Sequence, residues 1–228
     1  MANLAGMDLL IFDFDGVIVD SETIANATLA RALTELGHPT TLEDSLRLYM
    51  GRRWDDCARA IEAEIGRPLP EEFAARRRAE IRAWAASELT AVAGAVDFVR
   101  GLGAGRRCIA SSSTPAWLAL CLERIGLAAH FGDKLFSAAV HVERGKPHPD
   151  LFLYAAREMG AAPARTVVIE DSRLGVEAGV AAGMTVIGLL AGTHIRDGHA
   201  ERLTAAGAHH LAQSYGEVRA VLDRLSVG

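Results

Sequence analysis

Lysine is almost missing from this chain: of 24 basic residues only Lys134 and Lys146 are lysines, and the rest are arginines. Cysteine is scarce too, with Cys57, Cys108 and Cys121 odd in number and far apart. That excludes a disulfide framework and a zinc pattern, and it reads the three as small apolar residues in a reducing, cytoplasmic setting. Positive charge is not in excess, since 24 basic against 29 acidic residues leave a net charge of -5. The balance excludes a global attraction for nucleic acid or an anionic membrane, so any anionic ligand has to be held locally. No apolar run reaches transmembrane length, and the opening MANLAGMDLLIFDFDG has neither a basic leader nor a long enough apolar stretch for a signal peptide. What remains, 228 residues that are 50% hydrophobic and 23% charged, suits one large soluble domain or a core with a modest insertion, expected as a monomer.

Asp8 to Phe14 is a short apolar run ending in acids and reads as a buried strand that stops at Asp15-Gly16. Helices are expected from Ser21 to Leu36, Thr41 to Tyr49, Trp54 to Ile65 and Pro70 to Leu89, with no strand among them. Gly94 to Leu102 reads as a further helix, and from there the pattern alternates. Strands are read at Arg107 to Ala110, Leu135 to Ala139, Thr166 to Ile169, Met184 to Leu189 and, at an edge, Ala208 to Leu211; helices lie between them at Pro115 to Ile125, Asp150 to Met159 and Leu174 to Ala182. The alternation predicts a doubly wound, mainly parallel α/β sheet, with residues 1–18 and 90–228 forming the Rossmann-like core and 19–89 an inserted helical cap.

Sites in such sheets lie at the carboxyl ends of the strands, and each expected strand end carries a group suited to phosphate or metal chemistry. The first ends in Asp13-Phe14-Asp15-Gly16, the second in Ser111-Ser112, and the fourth in Glu170-Asp171; Lys146 stands in the loop GKPHPD. Singly, each has a plainer reading as a helix cap, a turn former or a solvated loop residue. Their order along successive strand ends favours a site. Asp13, Asp15 and Asp171 together would repel unless a hard divalent cation sat among them, and magnesium suits an oxygen set with no clustered His or Cys. With the metal and Lys146 neutralising a phosphoryl group, one carboxylate can attack and a second can pass a proton to the leaving oxygen.

The segments DFDGVIVDSE, IASSS, GKPHPDLF and VVIEDSRLGVEAGVAAGM resemble the four motifs of haloacid dehalogenase-like hydrolases, over a span from Asp8 to about Ala191. The resemblance implies a core with a helical cap, an Asp13 nucleophile, an Asp15 general acid and base, Ser111 with Ser112 and Lys146 as phosphate ligands, and Asp13, Asp15, Glu170 and Asp171 around Mg2+. It further implies a phosphatase acting on a small phosphorylated metabolite, a sugar phosphate or phosphorylated sugar acid. Asp15 argues against carbon-halogen cleavage, and the absence of lysine from the cap argues against Schiff-base phosphonate chemistry. A β-phosphoglucomutase-like reaction is the alternative, weakened because Ile24-Ala25-Asn26 stands where that branch carries a histidine. A catalytically idle binding protein is a third reading, against which the intact acids and lysine speak.

In the cap, Arg52 and Arg53 either reach the substrate bidentately or lie in solvent with their stems over Trp54. Arg76-Arg77-Arg78 reads as a solvated helix face. The histidines His194, His199, His209 and His210 fit no helical ligand pair and read as surface residues or caps.

Overall fold

A computed structural model of the chain describes residues 6–103 and 106–226. Strand β1 (Leu9–Phe12) is entirely apolar and entirely buried, and leads into four helices, α1 (Glu22–Glu35), α2 (Leu42–Tyr49), α3 (Trp54–Ile65) and α4 (Phe73–Glu88). There follow α5 (Ala95–Arg100), β2 (Arg107–Ser111), α6 (Pro115–Arg124), α7 (Ala128–Phe131), β3 (Leu135–Ser137), α8 (Ala138–His141) and α9 (Asp150–Glu158). The chain continues through β4 (Thr166–Glu170), α10 (Arg173–Ala181), β5 (Thr185–Leu189), α11 (His199–Ala205), β6 (His210–Ala212) and α12 (Tyr215–Leu225).

All pairings in the six-stranded sheet are parallel, in the order β3-β2-β1-β4-β5-β6. The chain steps outward from β1 to β3 and then returns to lay β4 on the other side of β1. That reversal opens a crevice at the carboxyl ends of β1 and β4, where such sheets bind ligands. Alternation along β1 supplies both faces of the core: Leu10 and Phe12 pack with Phe98, Leu118, Phe131 and Leu222, while Leu9 and Ile11 pack with Leu151, Phe152 and Val176.

The helical insertion has an apolar centre of its own, in which Leu29, Leu33, Tyr49, Cys57, Ile61 and Phe73 are buried. Trp54 stacks on Phe73 there, with ring centroids 6.1 Å apart. Helix α2 starts at a capping box in which Thr41 and Asp44 satisfy each other's backbone N–H. The lower end of α4, at Ala85 and Leu89, joins the core cluster instead.

Every expected strand and helix is present, with ends shifted by a few residues. Four helices lie outside the sequence reading, α7, α8, α11 and α12. The first three are too short to show a full apolar period, but α12 buries Tyr215, Val218, Val221 and Leu222 on one face behind a Ser214 cap, a pattern the sequence does contain. Among the described residues no helix is long and apolar enough to cross a membrane.

Candidate active site

Four residues, Asp13, Glu170, Asp171 and Lys146, from the ends of β1 and β4 and one loop, meet at the crevice. Lys146 is 3% exposed, and its Nζ donates to Asp13 Oδ1 at 2.6 Å and to Glu170 Oε1 at 2.5 Å. Glu170 Oε2 accepts from the backbone N–H groups of Asp171 and Ser172 and from Ser172 Oγ, at 2.9 to 3.0 Å. Glu170 is thus a brace: one oxygen fixes the lysine and the other ties β4 to the start of α10. Ser172 Oγ in turn accepts from Gly175 N at 3.0 Å, so the expected helix cap and the expected site share one segment. Burial alone would lower the Lys146 pKa, but Asp13 and Glu170 outweigh it and hold the ammonium charged. Burial raises the Asp13 carboxyl well above the usual range, Lys146 opposes this, and Glu170 and Asp171 add to it. Burial raises Asp171 as well, followed by the charge of Glu170.

Asp15 departs from the expected trio of acids. The carboxylates whose oxygens lie within 4.8 Å of one another are Asp13, Glu170 and Asp171. Asp15 faces the other way, its Oδ1 accepting from Ser21 Oγ at 2.6 Å and Trp117 Nε1 at 2.9 Å, its Oδ2 from Ser113 Oγ at 2.6 Å. Ser21 therefore precedes α1 without capping it through its side chain. The turn that follows Asp15 depends on Gly16, at φ +77°, where an added Cβ would overlap Asp171 Oδ2 and lie 2.9 Å from His194 Cε1. Ser111, at the end of β2, is buried and accepts from Ser113 N at 3.0 Å. Ser112 instead donates to the Gly51 carbonyl of the insertion at 2.8 Å.

The donor set around Asp171 fits a hard divalent cation. Asp171 Oδ2 is buried without a hydrogen-bond partner, the neighbouring candidate ligands are all carboxylate oxygens, and such sets take magnesium rather than zinc. Two histidines expected at the surface correct that expectation here. His194 Nε2 lies 2.9 Å from Asp171 Oδ2, and both groups are buried. Burial holds this imidazole below its ordinary pKa, and neither ring nitrogen has a well-directed hydrogen bond. His199 Nε2 lies 2.7 Å from the Asp171 carbonyl, to which it donates. His209 and His210 remain at the edge strand. The signal for His194 is absent from local sequence, because only the return of the β5 loop beside Gly16 brings it near Asp171.

Above this floor lies a cavity of about 330 Å³ between core and insertion, lined by Asp13, Asp15 and Ser111 to Ser113 below and by α1, the Gly51–Arg53 loop and α4 above. Arg52 and Arg53 both line it, but Arg53 spends its guanidinium elsewhere. It donates to Asp56 at 2.7 Å and to the core carbonyls of Val142 at 3.3 Å and Glu143 at 2.5 Å. Arg52 Nε donates to the Leu48 carbonyl at 3.1 Å. Of the run expected to be solvated, Arg77 and Arg78 line the cavity. Glu22 joins them, its carboxyl raised by burial and then by Asp171 and Asp15.

A family model described as haloacid dehalogenase-like hydrolase matches residues 7–183. The chain is 28% identical to the 6-phosphogluconate phosphatase of Escherichia coli (strain K12), over 84% of this chain and 86% of that one. It is 31% identical to the fructose-1-phosphate phosphatase YqaB of the same organism, over 78% and 94%. A solved haloacid dehalogenase-like protein of unknown function from Agrobacterium tumefaciens superposes with a TM-score of 0.82 at 35% identity, covering 96% of this chain and 99% of that one. The four motifs, the sheet order and this matched span together make the chain a member of the haloacid dehalogenase-like hydrolase family.

Proposed function

We propose that the chain is a magnesium-dependent phosphoric monoester hydrolase acting on a phosphorylated sugar or sugar acid through an aspartyl-phosphate on Asp13. One observation carries this reading: a buried lysine clamps Asp13 at the floor of a metabolite-sized cavity while a second aspartate stands on the wall beside it. The names of the two phosphatase relatives support the substrate class. We place the core at residues 1–18 and 90–228 and the cap at 19–89.

Asp13 attacks phosphorus as the bond to the sugar oxygen breaks, and Asp15, leaving its Ser21–Ser113–Trp117 cradle, gives that oxygen a proton. Water then attacks the acyl phosphate, Asp15 takes back the proton, and inorganic phosphate and the Asp13 carboxylate are released. Lys146 orients Asp13 and offsets the charge of the transferring group, and Ser111 with the loop behind it borders that group. Asp13 and Asp171 would hold Mg2+, with Glu170 bracing the set, and the ion would offset phosphoryl charge when bound. Closure of the insertion excludes water from the first step.

The test is phosphate release from a panel of sugar phosphates with magnesium, against the same panel with Asp13→Asn. Stoichiometric phosphate and alcohol, lost in the variant, support hydrolysis. An isomeric sugar phosphate appearing without free phosphate would favour the mutase instead, and no turnover of any ester would leave a binding protein.

A further inference from the structure

Helix α4 turns an unusual stripe towards the cavity. Ala74, Arg77, Arg78, Ile81 and Arg82 all line it, and their spacing of i, i+3, i+4, i+7 and i+8 is that of one helix face. Such a face normally carries apolar residues against a core. Here three of five positions are arginine, and Arg52 joins them from the neighbouring loop.

Four other arginines of the insertion find acids: Arg31 pairs with Glu35 and Glu80, Arg47 with Asp44, and Arg53 and Arg59 with Asp56, while Arg67 and Arg76 are exposed to water without one. Arg52, Arg77, Arg78 and Arg82 line the cavity, and among the described residues none of them has a carboxylate within ion-pair distance. Glu22 and Asp55 line the same cavity without pairing to them. Arg77 is the most deeply set. Its guanidinium carbon sits 5.0 Å from the Trp54 ring centroid, one terminal nitrogen donates to the Ala25 carbonyl at 3.2 Å, and its buried Nε has no partner. Burial lowers its pKa, the mark of a charge held away from water with little compensation. A guanidinium fixed by stacking, with a donor edge left free, is pre-organised for a planar or tetrahedral oxyanion.

We infer that α4 forms a second anion site, centred on Arg77, which selects phosphomonoesters carrying another anionic group, a carboxylate or a second phosphate, at the end remote from the scissile phosphate. This rests on the phosphatase reading and narrows its substrate class. Asp13, at the floor, fixes one end of the ligand, and a cavity of about 330 Å³ has room for a chain of a few carbons reaching to α4.

The experiment compares three esters of matched length, with an alcohol, a carboxylate or a second phosphate at the far end. It uses the unaltered chain, Arg77→Met, which keeps an unbranched apolar stem over Trp54, and Arg77→Lys. The expected kcat/KM favours either anionic tail over the neutral one, and Arg77→Met reduces that ratio by about 10- to 100-fold, the range for a lost hydrogen bond to a charged group. Arg77→Lys recovers part of it. Which tail is preferred separates carboxylate from phosphate. An unaltered ratio in Arg77→Met, even with all rates reduced, shows a purely structural arginine and overturns the inference while hydrolysis stands. Calorimetry with a phosphate-free hydroxy acid against the corresponding polyol decides the matter independently of turnover. Binding of the acid alone, abolished in Arg77→Met, supports the site, and equal binding of both ligands overturns it. If no ester releases phosphate, the phosphatase reading falls and the calorimetric result still judges Arg77.

Discussion

Lys146 is the residue on which most of the site's electrostatics rest, since its ammonium is the counter-charge to two buried carboxylates. Removing one member of such a set leaves charge buried and unpaired, which costs about 3–5 kcal/mol. Lys146→Met is therefore expected to lower the urea midpoint of the chelator-treated protein markedly, as well as abolish turnover. An unchanged midpoint would show that the two carboxylates need no counter-charge from Lys146. Gly16→Ala should be as damaging for a different reason, because the turn needs a positive φ and the added methyl overlaps Asp171 Oδ2. A variant with wild-type stability and activity would mean that the turn can be rebuilt. At this scale the sequence was legible wherever a residue stood at a strand end, as with Asp13 and Asp171, or in a motif loop, as with Lys146. It was silent where partners come from afar. Nothing near Asp15 announces Trp117 or Ser113, roughly a hundred positions away and joined to it only by the β1–β2 pairing.

Among the elements, the Gly51–Arg53 loop has the clearest task, because it holds the insertion against the core. The Gly51 carbonyl accepts from Ser112, Gly51 itself has room for no side chain beside Ser172 Oγ, and Arg53 reaches carbonyls beyond α8. The sequence offered a substrate grip or a solvated loop for this arginine. The observed contacts are those of a latch, which no local pattern distinguishes from either. Arg53→Ala should reduce kcat/KM for every ester by a similar factor, about tenfold for loss of one or two net hydrogen bonds. It should also speed hydrogen exchange at the start of α3. Selective loss on sugar esters, with exchange unchanged, would return Arg53 to the substrate. Helix α4 shows the opposite lesson, since its arginine spacing is present in the sequence. Whether such a face meets water or a cavity depends on how the insertion closes over the sheet.

For the whole molecule, the buried acids make stability a function of metal and pH together. Asp13, Asp171 and Glu22 have folded pKa values above their unfolded ones, so folding takes up protons. Their contribution worsens as pH rises from the ordinary carboxylate range through the raised values. A divalent cation that replaces those protons relieves the cost. The rise in Tm on adding magnesium to chelator-treated protein should therefore be larger at pH 8 than at pH 5.5. At about a hundred times its Kd the ion is worth about 2.7 kcal/mol, or roughly 5–10 °C for a chain of this size. An increment independent of pH would place the ion away from these carboxylates. The doubly wound sheet and its helical insertion were plain from the alternation of short apolar runs and longer amphipathic ones. The position of the insertion over the sheet was not, because it rests on contacts between residues far apart in sequence.

The most direct measurement is of the phosphoryl group itself. A hydrolysable sugar phosphate and magnesium would be mixed with the protein, quenched in acid within the first turnover, and the chain digested and weighed by mass spectrometry. The expected result is one added phosphoryl group on the peptide that contains Asp13, absent from Asp13→Asn, with phosphate release lost in the same variant. Continued release of phosphate by Asp13→Asn, with no phosphorylated peptide at any quench time in the unaltered chain, would contradict the mechanism.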